Sequence, residues 1–211
     1  MADSNWGKRD KRGEWTPDIL PEPSPLFTLP FKPKKIFKYL FAPQGFLWPF
    51  NLFYVVLAIV CWKFFTPELS QAANFRIGWI AEIYLRNVAV LILVAGGLHL
   101  RLYLTKGQGE KFKYTNKWMA RDDKRFLFNN QTWDNIFWSL TSGAIIWTAY
   151  EALTLWMYAN GRLPYIDFNT HPFYFILLII GVIFLRQIHF YWIHRFSHWD
   201  PIYKSSHYLH H

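Results

Sequence analysis

The chain has 211 residues, of which 52% are hydrophobic, 21% aromatic and only 18% charged. So much apolar surface excludes a disordered chain, and a single cysteine, Cys61, excludes a disulfide scaffold. The net charge of +9 would suit a nucleic-acid partner if it were spread over a soluble surface. It is gathered instead into two polar segments, which argues against nucleic acid.

The first of these, residues 1–44, carries eight Lys/Arg and seven of the twelve prolines. No apolar core of a cleavable signal peptide stands near its start. It reads as an extended cytosolic arm, partly polyproline-like. Within it, residues 31–41 mix Lys32, Lys34, Lys35 and Lys38 with aromatics. That mixture suits either a segment lying on anionic lipid or a solvated flank of a membrane span.

Four apolar stretches follow, at 46–65, 77–100, 136–158 and 173–193. At about 1.5 Å per residue, each is long enough as a helix to cross a hydrocarbon core of roughly 30 Å. The expected fold class is therefore an all-α integral membrane protein with about four transmembrane helices, residues 45–193. A mean hydropathy of only +0.01 is the average of these spans and the polar segments between them. The second polar segment, residues 101–135, carries another eight Lys/Arg, whereas the loops 66–76 and 159–172 carry few. The positive-inside rule then places the N-terminus, the 101–135 loop and everything after residue 193 on the cytosolic side.

Ionisable groups inside the spans face away from lipid, because a charge there is costly. Glu82 and Arg86 stand four apart, the spacing of an intrahelical ion pair, and they are expected to satisfy each other. Glu151 has no local partner, and Arg186 on the fourth span is a candidate for it. His99 reads as interfacial, and His171 falls in an outer loop.

The remaining six of the eight histidines lie between His189 and His211. They form two boxes, His194-x3-His198 and His207-x2-His210-His211. Residues i and i+4 of a helix share a face, so each box presents imidazoles in one direction. Asp200-Pro201 breaks the helix between them. A helix, a short turn and a second helix would bring the two faces together, with enough imidazoles for more than one metal ion. Proton or zinc transport would instead place ligands within the spans, near the midplane. A metalloprotease helix would carry His-Glu-x-x-His, which is absent.

The run Phe190-Tyr191-Trp192-Ile193-His194-Arg195-x-x-His198, then Pro201-Ile202-Tyr203, then His207-x-x-His210-His211, resembles the fatty acid hydroxylase / sterol desaturase superfamily. The match covers residues 187–211, which would be the start of the catalytic domain of that type. The resemblance implies a membrane oxidoreductase that hydroxylates or desaturates a fatty acyl, sterol or sphingolipid substrate with O2. It implies a non-haem di-iron centre, with zinc as the alternative metal, and His194, His198, His207, His210 and His211 as ligands. It also implies an electron donor such as cytochrome b5 or a ferredoxin. The membrane would be the endoplasmic reticulum in a eukaryote and the cytoplasmic membrane in a bacterium. Arg195 and Tyr203 would brace the site, Asp200 would accept an imidazole N–H, and His189 would lie outside the ligand set. Phe190, Trp192 and Tyr208 would wall it against water.

The family pattern calls for a further histidine box downstream. The 211 residues alone are therefore expected not to complete a dimetal centre. The rival expectations are a non-catalytic metal-binding membrane protein and a metal transporter.

Overall fold

The computed structural model describes residues 7–11, 15–18, 23–43, 45–111, 113 and 118–207. It divides into two units, Met1–Ile59 with Ile166–His211, and Val60–Tyr165. The structure is mostly helical. Three of its helices are long and apolar enough to cross a membrane: α2 (Leu47–Phe65), α3 (Ile77–Leu104) and α5 (Pro172–Ser197).

The N-terminal arm is more ordered than its proline content predicts. Strands β1 (Gly7–Arg9) and β2 (Trp15–Pro17) pair antiparallel, with Lys8 opposite Thr16. Among the described residues they are the only strands, beside an isolated bridge between Arg121 and Asn130. Helix α1 (Pro33–Phe41) begins on a proline, whose fixed φ and missing N–H suit a first helical turn.

Residues 52–61 of α2 and 173–185 of α5 are apolar on every side, and no side chain on either helix is buried. A helix apolar on every side belongs in a core or a lipid bilayer. Exposed large side chains on α5 run from Phe173 to Phe196. A continuous apolar surface of that length marks a membrane or partner contact. Within the first unit, Phe46 packs its ring on Phe184 of α5, 5.8 Å between centroids.

The second unit is built on α3 and α4. Helix α4 covers residues 131–159: Gln131–Trp138, a π-helical turn Ser139–Gly143, and Ala144–Ala159. It covers the stretch 136–158 expected as a third span but, being rich in Ser, Thr, Trp and Tyr and carrying Glu151, is not among the three helices apolar enough to cross a membrane. Asn130 caps its start, its side-chain oxygen accepting from the N–H groups of Thr132 (2.9 Å) and Trp133 (3.3 Å). Its C-terminus closes on Gly161, whose φ is +65°. There Gly161 N–H donates to Tyr158 O (3.1 Å) and Arg162 N–H donates to Met157 O (2.8 Å). The Arg162 guanidinium covers the Trp156 ring at 4.9 Å. A Cβ on Gly161 would meet nothing, so Gly161→Ala is expected to cost the conformational term alone, about 1–2 kcal/mol. Thermal unfolding in detergent would register it as a lowered midpoint.

Packing between α3, α4 and the 3-10 turn Leu69–Ala73 forms the core: Ala72, Trp79, Ile83, Ala152 and Leu155. Small residues at 72 and 152 let the backbones approach, while Trp79 and Ile83 fill the seam. The Trp79 indole N–H donates to Asn74 O at 3.0 Å, which satisfies its polar edge.

Candidate metal centre

Two polar clusters lie on or beside the apolar helices. The first is inside the second unit and corrects the pairing expected from spacing. Arg86 pairs with Glu151 of α4, not with Glu82. Asn87, fully buried, donates to Thr148 Oγ1 and to Glu151 Oε2, each at 3.2 Å, and accepts from Arg86 Nη2 at 2.9 Å. A second arm of the guanidinium, Nη1, donates to Thr66 Oγ1 (2.9 Å) and Phe65 O (3.3 Å). Glu82 is exposed one helical turn away. The physical reason is geometric. Arg86 and Asn87 continue the Trp79–Ile83 seam toward α4, whereas Glu82 faces outward. A buried guanidinium gains more from a carboxylate and three neutral acceptors than from one exposed acid. Tyr84 ties the same pair of helices together, donating to Leu140 O at 3.2 Å.

The second cluster is the histidine site. His194 lies in the last turn of α5 and His198 caps it, with the His198 N–H donating back to His194 O (3.2 Å) and Arg195 O (3.3 Å). The chain turns at Trp199, which is extended (φ −66°, ψ 130°). It re-enters a helix at Asp200-Pro201, α6, residues 200–207, whose last part is the π-helical turn Tyr203–His207. The helix–turn–helix expected from Asp200-Pro201 is thus present, with the break just before the Asp-Pro pair. Proline is favoured at a first helical turn, so Pro201 starts the second helix.

This turn folds His207 back onto the first box. The Nε2 atoms of His194 and His198 are 3.1 Å apart. The His207 ring centroid is 4.7 Å from each of theirs. One ligand nitrogen from each of the three lies within 4.8 Å of the others. At a metal–nitrogen length of about 2.1 Å, two donors on one ion stand roughly 3–4 Å apart. The His194–His198 pair already has that bite, and a small swing of one imidazole completes a three-nitrogen face. All three side chains are half-buried. Three neutral imidazoles suit iron, copper or zinc.

Aromatic rings hold the imidazoles. Phe190 stacks on His194 at 5.4 Å, and Tyr203, only 2% exposed, stacks on His198 at 5.6 Å. The bracing position expected for Tyr203 is therefore where the structure puts it. Arg195 instead donates to the Tyr191 hydroxyl one turn earlier (2.8 Å), on the exposed side of α5. His189 is exposed and stands about 140° around α5 from His194. Trp192 packs edge-on against Tyr191 at 5.6 Å, so among the described residues Phe190 and Tyr203 are the apolar rings that meet the imidazoles. Tyr208, His210 and His211 lie outside the described residues.

The other two histidines are elsewhere. His171 is at the opposite end of α5, its Nδ1 3.0 Å from Thr170 Oγ1. Beside it, the backbone N–H of Asn169 and then the Thr170 hydroxyl hold the Asp167 carboxyl below its usual pKa range. His99 stacks on Tyr103 within α3, 5.3 Å between centroids. Sequence reading missed the Asn87–Thr148 contact, although two polar residues on the facing seams of two apolar helices were a usable signal.

Comparison with protein-family models, with curated proteins and with solved structures yields no match.

Proposed function

We propose that the chain is the membrane-anchored part of an O2-dependent lipid hydroxylase or desaturase of the fatty acid hydroxylase / sterol desaturase type. The observation that carries this reading is the convergence of His194, His198 and His207 at the end of a 26-residue apolar helix. A metal held there would sit at one end of a membrane-length helix, within reach of a lipid chain. Positive-inside loops make that side cytosolic, where an electron donor such as cytochrome b5 or a ferredoxin can dock.

Iron is the metal that this reading requires; zinc on the same imidazoles, being redox-inert, would belong to the non-catalytic alternative. Bound iron would supply the activation of O2 that an unactivated C–H bond needs. In hydroxylation one oxygen atom enters the C–H bond and the other leaves as water, with two electrons from the donor and two protons from solvent. The protein's own contribution is more limited. His194, His198 and His207 hold the ion, and His210 and His211 are proposed to join them. Phe190 and Tyr203 stack on two of the rings and hold their orientation. An ion held by these imidazoles would have positions left for O2 and substrate.

The test starts with the reading frame beyond codon 211, where the resemblance expects another His-x-x-His-His box. The protein so encoded is purified in lipid nanodiscs, loaded with iron(II), and given reductant, O2 and a lipid extract. A lipid that gains one oxygen or loses two hydrogens only when O2 is present supports the reading. Tightly bound metal with no oxidised product in any lipid class would overturn it in favour of a non-catalytic metal-binding protein. Metal flux across sealed vesicles would favour a transporter.

A further inference from the structure

We propose that α1 is an interfacial helix that docks the N-terminal segment onto an anionic lipid surface. The inference rests on the reading of α2 as a membrane span, and goes beyond the metal site.

Helix α1 has nine residues and buries none of them. At about 100° per residue, Lys34, Lys38 and Lys35 fall within one arc, and Ile36, Phe37, Leu40 and Phe41 occupy the rest. Phe37 and Phe41 are 67% and 54% exposed, with centroids 5.0 Å apart. They lie beside the lysines, so one side of the helix offers rings and ammonium groups together. Just before it, Phe27 (84%), Leu29 (74%) and Phe31 (61%) are also exposed.

The helix does not swing freely from α2. Phe46 N–H donates to Tyr39 O, and Gly45 N–H to Ala42 O, both at 2.7 Å. The Tyr39 and Phe46 rings stack at 5.8 Å. A Cβ at Gly45 would stand 2.7 Å from Ala42 O and 2.8 Å from Tyr39 O, so only glycine permits this turn. The turn fixes α1 against the first residues of the apolar helix, where a bilayer surface would begin.

Charge selects the surface. Lys32, Lys34, Lys35 and Lys38 are not balanced by acid, since no Asp or Glu occurs between Glu22 and Glu68. Lysines near an anionic leaflet are attracted to it, while aromatic rings enter the headgroup boundary. A soluble anion would use the lysines and leave the four phenylalanine rings and Leu29 in water. An acidic protein would need a complementary apolar groove.

The test uses the full chain with Cys61→Ser, reconstituted in nanodiscs. One form carries Phe41→Cys labelled with an environment-sensitive fluorophore, and a second carries the label at Ala58→Cys within α2. The discs are phosphatidylcholine alone, or phosphatidylcholine with phosphatidylserine. With phosphatidylserine, quenching at position 41 by aqueous iodide is expected to fall several-fold, and quenching by nitroxide lipid to rise. Adding Lys34→Glu, Lys35→Glu and Lys38→Glu, or high salt, reverses both changes. If position 58 is lipid-quenched while position 41 stays open to iodide in both lipids, the proposal is overturned alone. Equal protection at 41 in both lipids overturns the role of the lysines and hence the anionic surface. Protection of 41 by a soluble acidic peptide, but not by the lipid, also overturns it. If position 58 is open to iodide, the membrane reading of α2 fails and the proposal fails with it.

Discussion

His198→Ala is expected to abolish tight metal binding at the end of α5. The His198 Nε2 forms the 3.1 Å pair with His194, and its ring centroid is 4.7 Å from that of His207. Its removal leaves two imidazoles that no longer share a third partner. Loss of an outer-sphere contact alone weakens metal sites roughly 10–100-fold, so loss of a direct ligand should exceed about 100-fold. Bound metal per chain, measured after dialysis against a weak chelator, should fall to the level of a metal-free control. His171→Ala is the internal control. That residue sits at the far end of the same helix, so its variant should retain the metal. Equal retention by both variants would remove the basis for the metal centre. Equal loss in both would point to damage of α5 itself. Tyr203→Phe should keep the stacking on His198 and bind metal nearly as well, whereas Tyr203→Ala should bind less, because it frees the ring that Tyr203 holds.

The second large effect concerns stability. Glu151→Leu leaves the Arg86 guanidinium, whose side chain is only 9% exposed, without its carboxylate. Stranding one member of a buried pair costs about 3–5 kcal/mol. The double replacement Arg86→Met with Glu151→Leu removes both charges and should recover most of that loss, because an apolar pair of similar volume is often neutral. Unfolding by titration with a denaturing detergent, followed by circular dichroism, would order the three proteins. Glu82→Gln belongs in the same series. An exposed residue outside the network should change stability by no more than about 0.5 kcal/mol. If Glu82→Gln costs as much as Glu151→Leu, the intrahelical pairing suggested by spacing is the true one.

That contrast shows where the sequence is readable. Helices α2, α3 and α5 were legible because long apolar runs have few alternatives, and their limits agree closely with the stretches 46–65, 77–100 and 173–193. The pairing of His194 with His198 was legible for the same local reason, since i and i+4 on a helix share a face. The approach of His207 was legible as a consequence of the Asp200-Pro201 break. Its agreement with the structure depends on a turn of a few residues, which local chemistry controls.

The N-terminal arm was harder to read. Its prolines point to an extended chain, yet Pro33 initiates α1, because proline is unfavourable inside a helix and favourable at its start. Amphipathic spacing of Lys34, Lys38, Phe37 and Phe41 held the correct signal. The strands β1 and β2 are too short and polar to announce themselves.

By itself the sequence determined the apolar helices, the clustering of the basic segments, and the shared helix face of His194 and His198. Each follows from interactions within a few residues. Only the tertiary structure decided that Arg86 takes Glu151, 65 residues away, and that Asn87 and Thr148 complete the network. It also decided which aromatic rings, Phe190 and Tyr203, support His194 and His198. The physical reason is that a charge within a span accepts any partner that the packing brings near. Which seam of one helix meets which seam of another depends on side-chain fit along their whole contact, and no local period encodes it.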